Sequence, residues 1–410
     1  MYVAELDRPW TDSRFLFQGF EIRTQEELAE LRRLCRHVTI ETETQYRNAA
    51  PRTVAMPLTI APSATEAAAT RVGYEILDQI VGKHSHAPRY PDRTTLEEEM
   101  PQARTLAQKT RDLVDSFWDD ARLGRSLDIP GARDTVAALV QSILRNPDAL
   151  VWLNELKNQD AYTALHSMRV CVLALAFGRH LELSEADMHV LGMGALLHDI
   201  GKTKVPLDIL NKPGSLTPQE FELMKSHVPL GVEILERSPG IPSAAIEVAK
   251  WHHERFDGSG YAFGLRGAQI GLFGQIGAIV DTYDAITSDR CYHRGMSAHD
   301  ALRKMYEWRK KDFHDRLVEQ FIQCMGVYPI GSVVEMNTGG IGVVISANRL
   351  RRLRPRVALV LDAQKQPLPS ARIIDLMQES GGASKLEIRS VLPAGSFGIN
   401  PLDYFPARAH

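Results

Sequence analysis

The sequence predicts a mainly α protein with a small α+β unit at its N-terminus and a short β-rich extension at its C-terminus. Three observations carry this. Residues 1–62 mix strand-like runs with one capped helix, apolar residues then recur at helical spacing as far as Met325, and from Tyr328 the pattern turns to β-rich runs. A chain of 410 residues corresponds to about two or three domains and can bury a large core.

In residues 1–62, MYVAELD, FLFQGFEI and HVTIETE read as strands. Thr24 with Glu27 forms a capping box that starts a helix of about a dozen residues. No acidic cluster or glycine loop marks a catalytic site there. Residues 63–129 read as a helical linker interrupted by KHSHAPRYPDRTT, whose prolines and polar side chains mark a loop. His84 and His86 in that loop have a metal-like spacing, but two isolated histidines in a polar linker read as solvated.

Composition excludes several classes. The formal charge of -3 and pI near 6.5 give no basis for bulk attraction to nucleic acid or membrane. The start MYVAELDRPW lacks the features of a secretory signal, and no run approaches the roughly 20 apolar residues of a membrane helix. Cys35, Cys171, Cys291 and Cys324 are far apart and show no metal-type pairing, which suits a reduced, cytoplasmic setting.

The region 130–328 carries the chemistry. Leu165, Met168, Val172, Leu175 and Ala176 lie at helical spacing, with His166 just off their stripe. The run LGMGALLHDIGK reads as a helix with Leu191, Ala195 and Leu196 on one face and His198 and Asp199 on its last turn, before Gly201 lets the chain leave. LTPQEF gives a helix start, with Thr217 as N-cap, Pro218 at N1, Glu220 at N3 and Leu216 stapled to Phe221; that helix delivers His227 near its end. AAIEVAKWHH ends on His252 and His253, and QIGAIVDTYDAITSD places Asp281 and Ala285 one turn apart.

The candidates are therefore His166, His198, Asp199, His227, His252, His253 and Asp281. Five imidazoles and two carboxylates without a thiolate suit iron, manganese, nickel or zinc, and are too rich in imidazole for magnesium or calcium. Seven ligands exceed what one ion takes from protein while leaving room for water, so two ions fit better. In that arrangement His166, His198 and Asp281 hold one ion, His227, His252 and His253 the other, and Asp199 bridges them. Two ions about 3.5–4 Å apart polarise a bridging water into hydroxide and brace an in-line displacement at phosphorus, so phosphoester hydrolysis is the expected reaction. Lys202 is placed to meet a phosphate oxygen, or else is a solvated lysine complementing the helix dipole. The loop Asp257-Gly-Ser-Gly-Tyr261 either lets backbone approach a ligand, with Tyr261 offering a ring and a hydroxyl, or is an ordinary turn.

These residues resemble the HD-GYP domains. His166 with Arg169 and Val170, HDIGK at 198–202, KPGSLTPQE at 212–220, HVPLG at 227–231, HHERFDGSGY at 252–261 and DTYDAITSDRCY at 281–292 are similar to that family's motifs, in the same order, across about residues 130–328. The resemblance implies an HD-type helical bundle with a di- or trinuclear centre, commonly iron or manganese. It implies a bacterial phosphodiesterase opening cyclic di-GMP to linear pGpG and often continuing to GMP. Residues 1–62 also resemble a small uncharacterised domain found ahead of many such enzymes, and residues 329–410 form the β-rich extension. Carried over by position, the seven residues are the metal ligands, Asp199 and Lys202 the catalytic pair, and Lys202, Asp257, Gly260, Tyr261, Arg290 and Arg294 the substrate contacts, with His293 intervening before the second arginine.

Three departures stand out. The defining Gly-Tyr-Pro is Gly260-Tyr261-Ala262, so the loop loses the φ restraint of proline, which weakens an expected contact with GGDEF-type cyclases more than catalysis. Members with three metals have a glutamate one turn before the first histidine, where this chain has Tyr162, so a binuclear centre is expected. Gly271 stands where the family often has proline, with little expected consequence. Expected partners are cyclic di-GMP and a second copy of the chain. The alternatives are a cyclic-dinucleotide sensor with little turnover and an HD hydrolase of another nucleotide, the latter opposed by His227, His252 and His253.

Overall fold

The computed structural model describes residues 2–6, 20–21, 32, 38–41, 89–154, 162–288, 295–349, 351–378, 386–393 and 395–404. The chain divides into two units, Met1–Ala69 and Thr70–His410. In the first, β1 (Tyr2–Leu6) lies between β2 (Phe20–Glu21) and β3 (Val38–Glu41), antiparallel to both, with Tyr2 opposite Glu21 and Glu41. These strands fall within the three expected runs. Of the helix expected after Thr24 only Arg32, which is helical, is described; the rest lies outside the described residues, as do His84 and His86.

Among the described residues of the second unit the first helix is α1 (Leu96–Arg122), started by a capping box between Thr95 and Glu98. It buries Met100, Ala103, Ala107, Val114, Phe117 and Ala121, at the three- and four-residue spacing of one helix face. Next come α2 (Ile129–Arg145), α3 (Pro147–Asn154), α4 (Tyr162–His180) and α5 (Glu185–Leu197). Further along lie α6 (Leu207–Leu210), α7 (Pro218–Lys225), α8 (His227–Glu236), α9 (Ser243–Trp251) and α10 (Leu272–Thr287). Helices α4, α5, α9 and α10 pack in a closed ring, each against the next, and α2 covers α5. Because α4 is surrounded, residues 165–179 are buried on every side, and His166 at 2% exposure is core rather than beside a stripe.

Two local expectations change. Helix α5 ends at Leu197, so His198 is its C-cap and Asp199 leads into a 3-10 turn, Ile200–Lys204. Gly201 does not release the chain; it permits a backbone contact, since a Cβ there would stand 1.9 Å from His227 O and 2.4 Å from Gly231 N. The Thr217 capping box and Pro218 at N1 form as expected, but α7 stops at Lys225. His227 is the first residue of α8, a helix that tolerates Pro229 because first-turn N–H groups need no helical acceptor.

After α11 (Ala298–Trp308) and α12 (Asp315–Met325), the chain forms an antiparallel sheet of order β7-β6-β5-β4-β8. A hairpin through Asn337 to Gly340 joins β4 (Val333–Met336) to β5 (Ile341–Ser346), and β6 (Arg356–Leu361) pairs with β5. β7 (Pro367–Asp375) and β8 (Ile388–Val391) form the two edges of the sheet within the expected β-rich extension. The arginine-rich stretch 349–356 is held in part by carboxylates. Arg349 pairs with Asp92 and with buried Asp148, and Arg356 Nη2 lies 2.8 Å from Glu97 Oε1, which ties the sheet to α1 and α3. Among the described residues no helix is long and apolar enough to cross a membrane.

Candidate metal centre

Different elements deliver each candidate ligand. His166 comes from the first half of α4, His198 and Asp199 from the end of α5, and His227 from the start of α8. His252 and His253 follow the last residue of α9, and Asp281 lies within α10. All but His253 are buried. Asp199, His227, His252 and His253 form one group whose ligand atoms lie within 4.8 Å of one another, and His166, His198 and Asp199 form a second.

Hydrogen bonding decides what this cluster needs. His198 Nδ1 donates to Ala195 O at 2.8 Å, His227 Nδ1 to Met224 O at 2.6 Å, and His252 Nδ1 to Ala249 O at 2.9 Å. A carbonyl only accepts, so the neutral ring, which is the form that ligates metal, keeps its proton on Nδ1 and presents its lone pair on Nε2. The three Nε2 atoms lie 3.4, 3.4 and 3.7 Å from Asp199 oxygens, which are also acceptors. His198 Nε2, His227 Nε2, His252 Nε2 and Asp199 Oδ1 are consequently buried without a hydrogen-bond partner. At roughly 1–3 kcal/mol each, such orphans together approach the whole net stability of a domain, about 5–15 kcal/mol. Divalent metal held by these atoms would remove that cost, so the donor set fits metal.

Asp199 faces both groups. Its Oδ2 meets His166, His198 and the Lys202 ammonium, and its Oδ1 meets His227 and His252. Burial raises its pKa, but Lys202 and then His198 outweigh burial and hold it well below the usual carboxylate range. Burial, partly offset by Asp199, lowers His227 to about 3, and burial likewise lowers His252 and His253, so these rings stay neutral as ligation requires.

His166 behaves differently. Its Nε2 lies 3.1 Å from Asp281 Oδ1 and its Nδ1 2.7 Å from Asp284 Oδ2. Burial lowers its pKa, but bonds to Asp199, Asp281 and Asp284 prevail and raise it to about 10. Asp284 was not singled out in the sequence. It accepts from His166 and from Arg169, whose Nε lies 2.7 Å away, and Arg169 also reaches Ser288. Its signal was the three-residue step from Asp281, which puts both carboxylates on one face of α10.

The loop after α9 closes one side. Tyr261 lies over His253, with ring centroids 4.6 Å apart and an interplanar angle of 24°. Burial first, then Asp281 and Asp199, raise its hydroxyl pKa, so it stays protonated. Gly260 is required by close approach, because a Cβ there would stand 2.3 Å from Arg255 N and 2.5 Å from His253 O. The loosening expected from Ala262 is countered by backbone anchors. Tyr261 N donates to His253 O, and buried Glu254 accepts from Phe263 N, Gly264 N and Leu265 N at 2.7, 3.1 and 3.1 Å.

Asp257 is not drawn into the cluster; its carboxylate accepts from Ser259 N at 2.8 Å within the turn. Gly271 has a consequence after all, since a Cβ there would stand 2.7 Å from Trp251 Cζ3. Arg290 and Arg294 lie outside the described residues, as does the side chain of Tyr162.

Comparison with known proteins agrees with this geometry. Residues 150–318 match the HD domain family, residues 1–132 a domain of unknown function (DUF3391), and residues 333–381 a KOW domain associated with HD domains. The chain is 42% identical over 287 residues to a cyclic di-GMP phosphodiesterase of Pseudomonas aeruginosa, covering 70% of this chain and 69% of that one. It is 39% identical over 166 residues to a cyclic di-GMP phosphodiesterase of Thermotoga maritima, covering 40% and 45%. It is 34% identical over 171 residues to a 3′3′-cGAMP-specific phosphodiesterase of Vibrio cholerae, covering 42% and 33%. With histidines and aspartates gathered from successive helices around Asp199, and a relative matched over more than two thirds of its length, the chain belongs to the HD-GYP family of HD-domain proteins.

Proposed function

We propose that the protein is a metal-dependent phosphodiesterase that hydrolyses cyclic di-GMP to pGpG and on to GMP, working in the cytoplasm with two iron or manganese ions. The observation that carries this reading is the set of buried Nε2 lone pairs turned toward one shared carboxylate. His166, His198, Asp281 and Asp199 Oδ2 would hold one ion, and His227, His252, His253 and Asp199 Oδ1 the other. Metal held by these residues would supply Lewis acidity toward a phosphate and lower the pKa of a water.

The chain's own groups do the rest. Helix carbonyls keep a proton on Nδ1 of His198, His227 and His252, which leaves each Nε2 free to ligate. Asp284 and Arg169 orient His166 from behind. Lys202, with its side chain 20% exposed, reaches from solvent to Asp199 and would neutralise a non-bridging phosphate oxygen. Tyr261 walls the second group from water at His253. The V. cholerae relative supports a second reading, in which another cyclic dinucleotide is the substrate.

The test is product analysis after incubating anaerobically iron- or manganese-loaded protein with cyclic di-GMP. Linear product that disappears with chelator, and in His198→Ala and Asp199→Ala together with bound metal, is expected. Retained turnover in either variant rules out the centre, and tight binding without product makes the protein a sensor. Metal analysis should find two equivalents per chain, because Tyr162 stands where a third-metal glutamate would be.

A further inference from the structure

Helix α7 carries an aromatic side chain that the centre itself does not use. Phe221 is 44% exposed, yet its ring meets Tyr261 edge-on, with centroids 5.9 Å apart and planes at 81°. Since Tyr261 lies over His253, three rings run from solvent to a metal-binding group. The Lys225 ammonium, one turn after Phe221, stands 5.4 Å from the Phe221 centroid and 5.9 Å from that of Tyr261. Its ion pair is with Glu222 Oε1 at 2.6 Å, on a side chain 70% exposed. Such a surface pair contributes little, so the ammonium can turn to a ligand. An exposed ring beside a cation, next to a site for a phosphodiester, suits a nucleobase: the base stacks and the cation meets its acceptor edge.

We propose that Phe221 and Lys225 form a guanine subsite, with Phe221 stacking on the base and Lys225 donating to its O6/N7 edge. This rests on a cyclic dinucleotide being the substrate, and it adds the pair of residues that selects the base. Guanine offers two acceptors on that edge, whereas adenine offers N7 beside an amino donor, which an ammonium cannot use. Leu223, 50% exposed on the same helix but two residues on, is turned about 200° away and serves as a control.

The experiment is steady-state hydrolysis of cyclic di-GMP and cyclic di-AMP by metal-loaded wild type, Phe221→Ala, Phe221→Tyr, Lys225→Met and Leu223→Ala. Phe221→Ala should raise KM for cyclic di-GMP about five- to thirtyfold with kcat and bound metal within about threefold, and Phe221→Tyr should restore it. Lys225→Met should lower the kcat/KM preference for cyclic di-GMP over cyclic di-AMP about tenfold, and Leu223→Ala should match wild type. A KM in Phe221→Ala within about twofold of wild type overturns the subsite and leaves the phosphodiesterase reading intact. If wild type hydrolyses no cyclic dinucleotide, that reading fails separately and titration with cyclic di-GMP decides the subsite. Binding lost in Phe221→Ala but kept in Leu223→Ala upholds it; equal binding in both, or none in wild type, overturns it.

Discussion

Replacing Glu254 by Gln should release the loop that carries Tyr261 while leaving the ligand histidines folded. Glu254 is 1% exposed; its Oε1 accepts from Phe263 N and Gly264 N, and its Oε2 from Leu265 N. Hydrogen bonds to a charged acceptor contribute about 1.5–3 kcal/mol each. Gln keeps one oxygen for the first two donors, weakened by loss of charge, and turns an amide NH2 against Leu265 N–H. The anchoring lost is therefore about 2–4 kcal/mol, or roughly 30- to 1,000-fold in the loop's opening equilibrium. Hydrogen exchange at the amides of 263–265 should accelerate by that factor, with protection in α4 and α10 unchanged. Bound metal should persist, and KM should rise more than kcat falls as Tyr261 leaves His253. Unchanged protection at 263–265 would show that the carboxylate does not hold the loop.

Two further outcomes follow from packing and charge. Gly201→Ala puts a methyl 1.9 Å from His227 O, so α8 must shift; a loss of about 1–3 kcal/mol in stability and reduced metal occupancy are expected, and full occupancy at an unchanged Tm contradicts the contact. His180, lowered by burial and then by Arg352 to about 3, stays neutral in the fold while the unfolded chain titrates near 6.5. Between those values the unfolded state binds the extra proton, so stability is full above pH 6.5 and falls toward pH 3, by up to about 1.4 kcal/mol per pH unit from this group. His180→Gln should flatten that limb by up to one proton in chemical denaturation across pH, and an unchanged slope refutes the assignment.

Much of the centre was legible because ligand chemistry is local. HDIGK, HHERFDGSGY and DTYD name their residues, and helix caps such as Thr217 with Glu220 fixed where some helices begin. Asp284 was passed over because a carboxylate three residues after a ligand reads as a polar helix position until His166 and Arg169 are seen against it. The partner of Arg349 was hidden in the same way, since Asp148 lies some 200 residues away in sequence. Single-stripe periodicity also failed for α4, which neighbours surround.

By itself the sequence determined the residue types, their order and the helical class, because periodicity, caps and donor chemistry are properties of short stretches. Only the tertiary structure decided that Nε2 lone pairs converge on Asp199, that Gly201 lets two backbones touch, and that Glu254 rather than proline fixes the loop. Those facts depend on where helices distant in sequence meet, and a lone pair becomes costly only once the fold has removed the water that would have satisfied it.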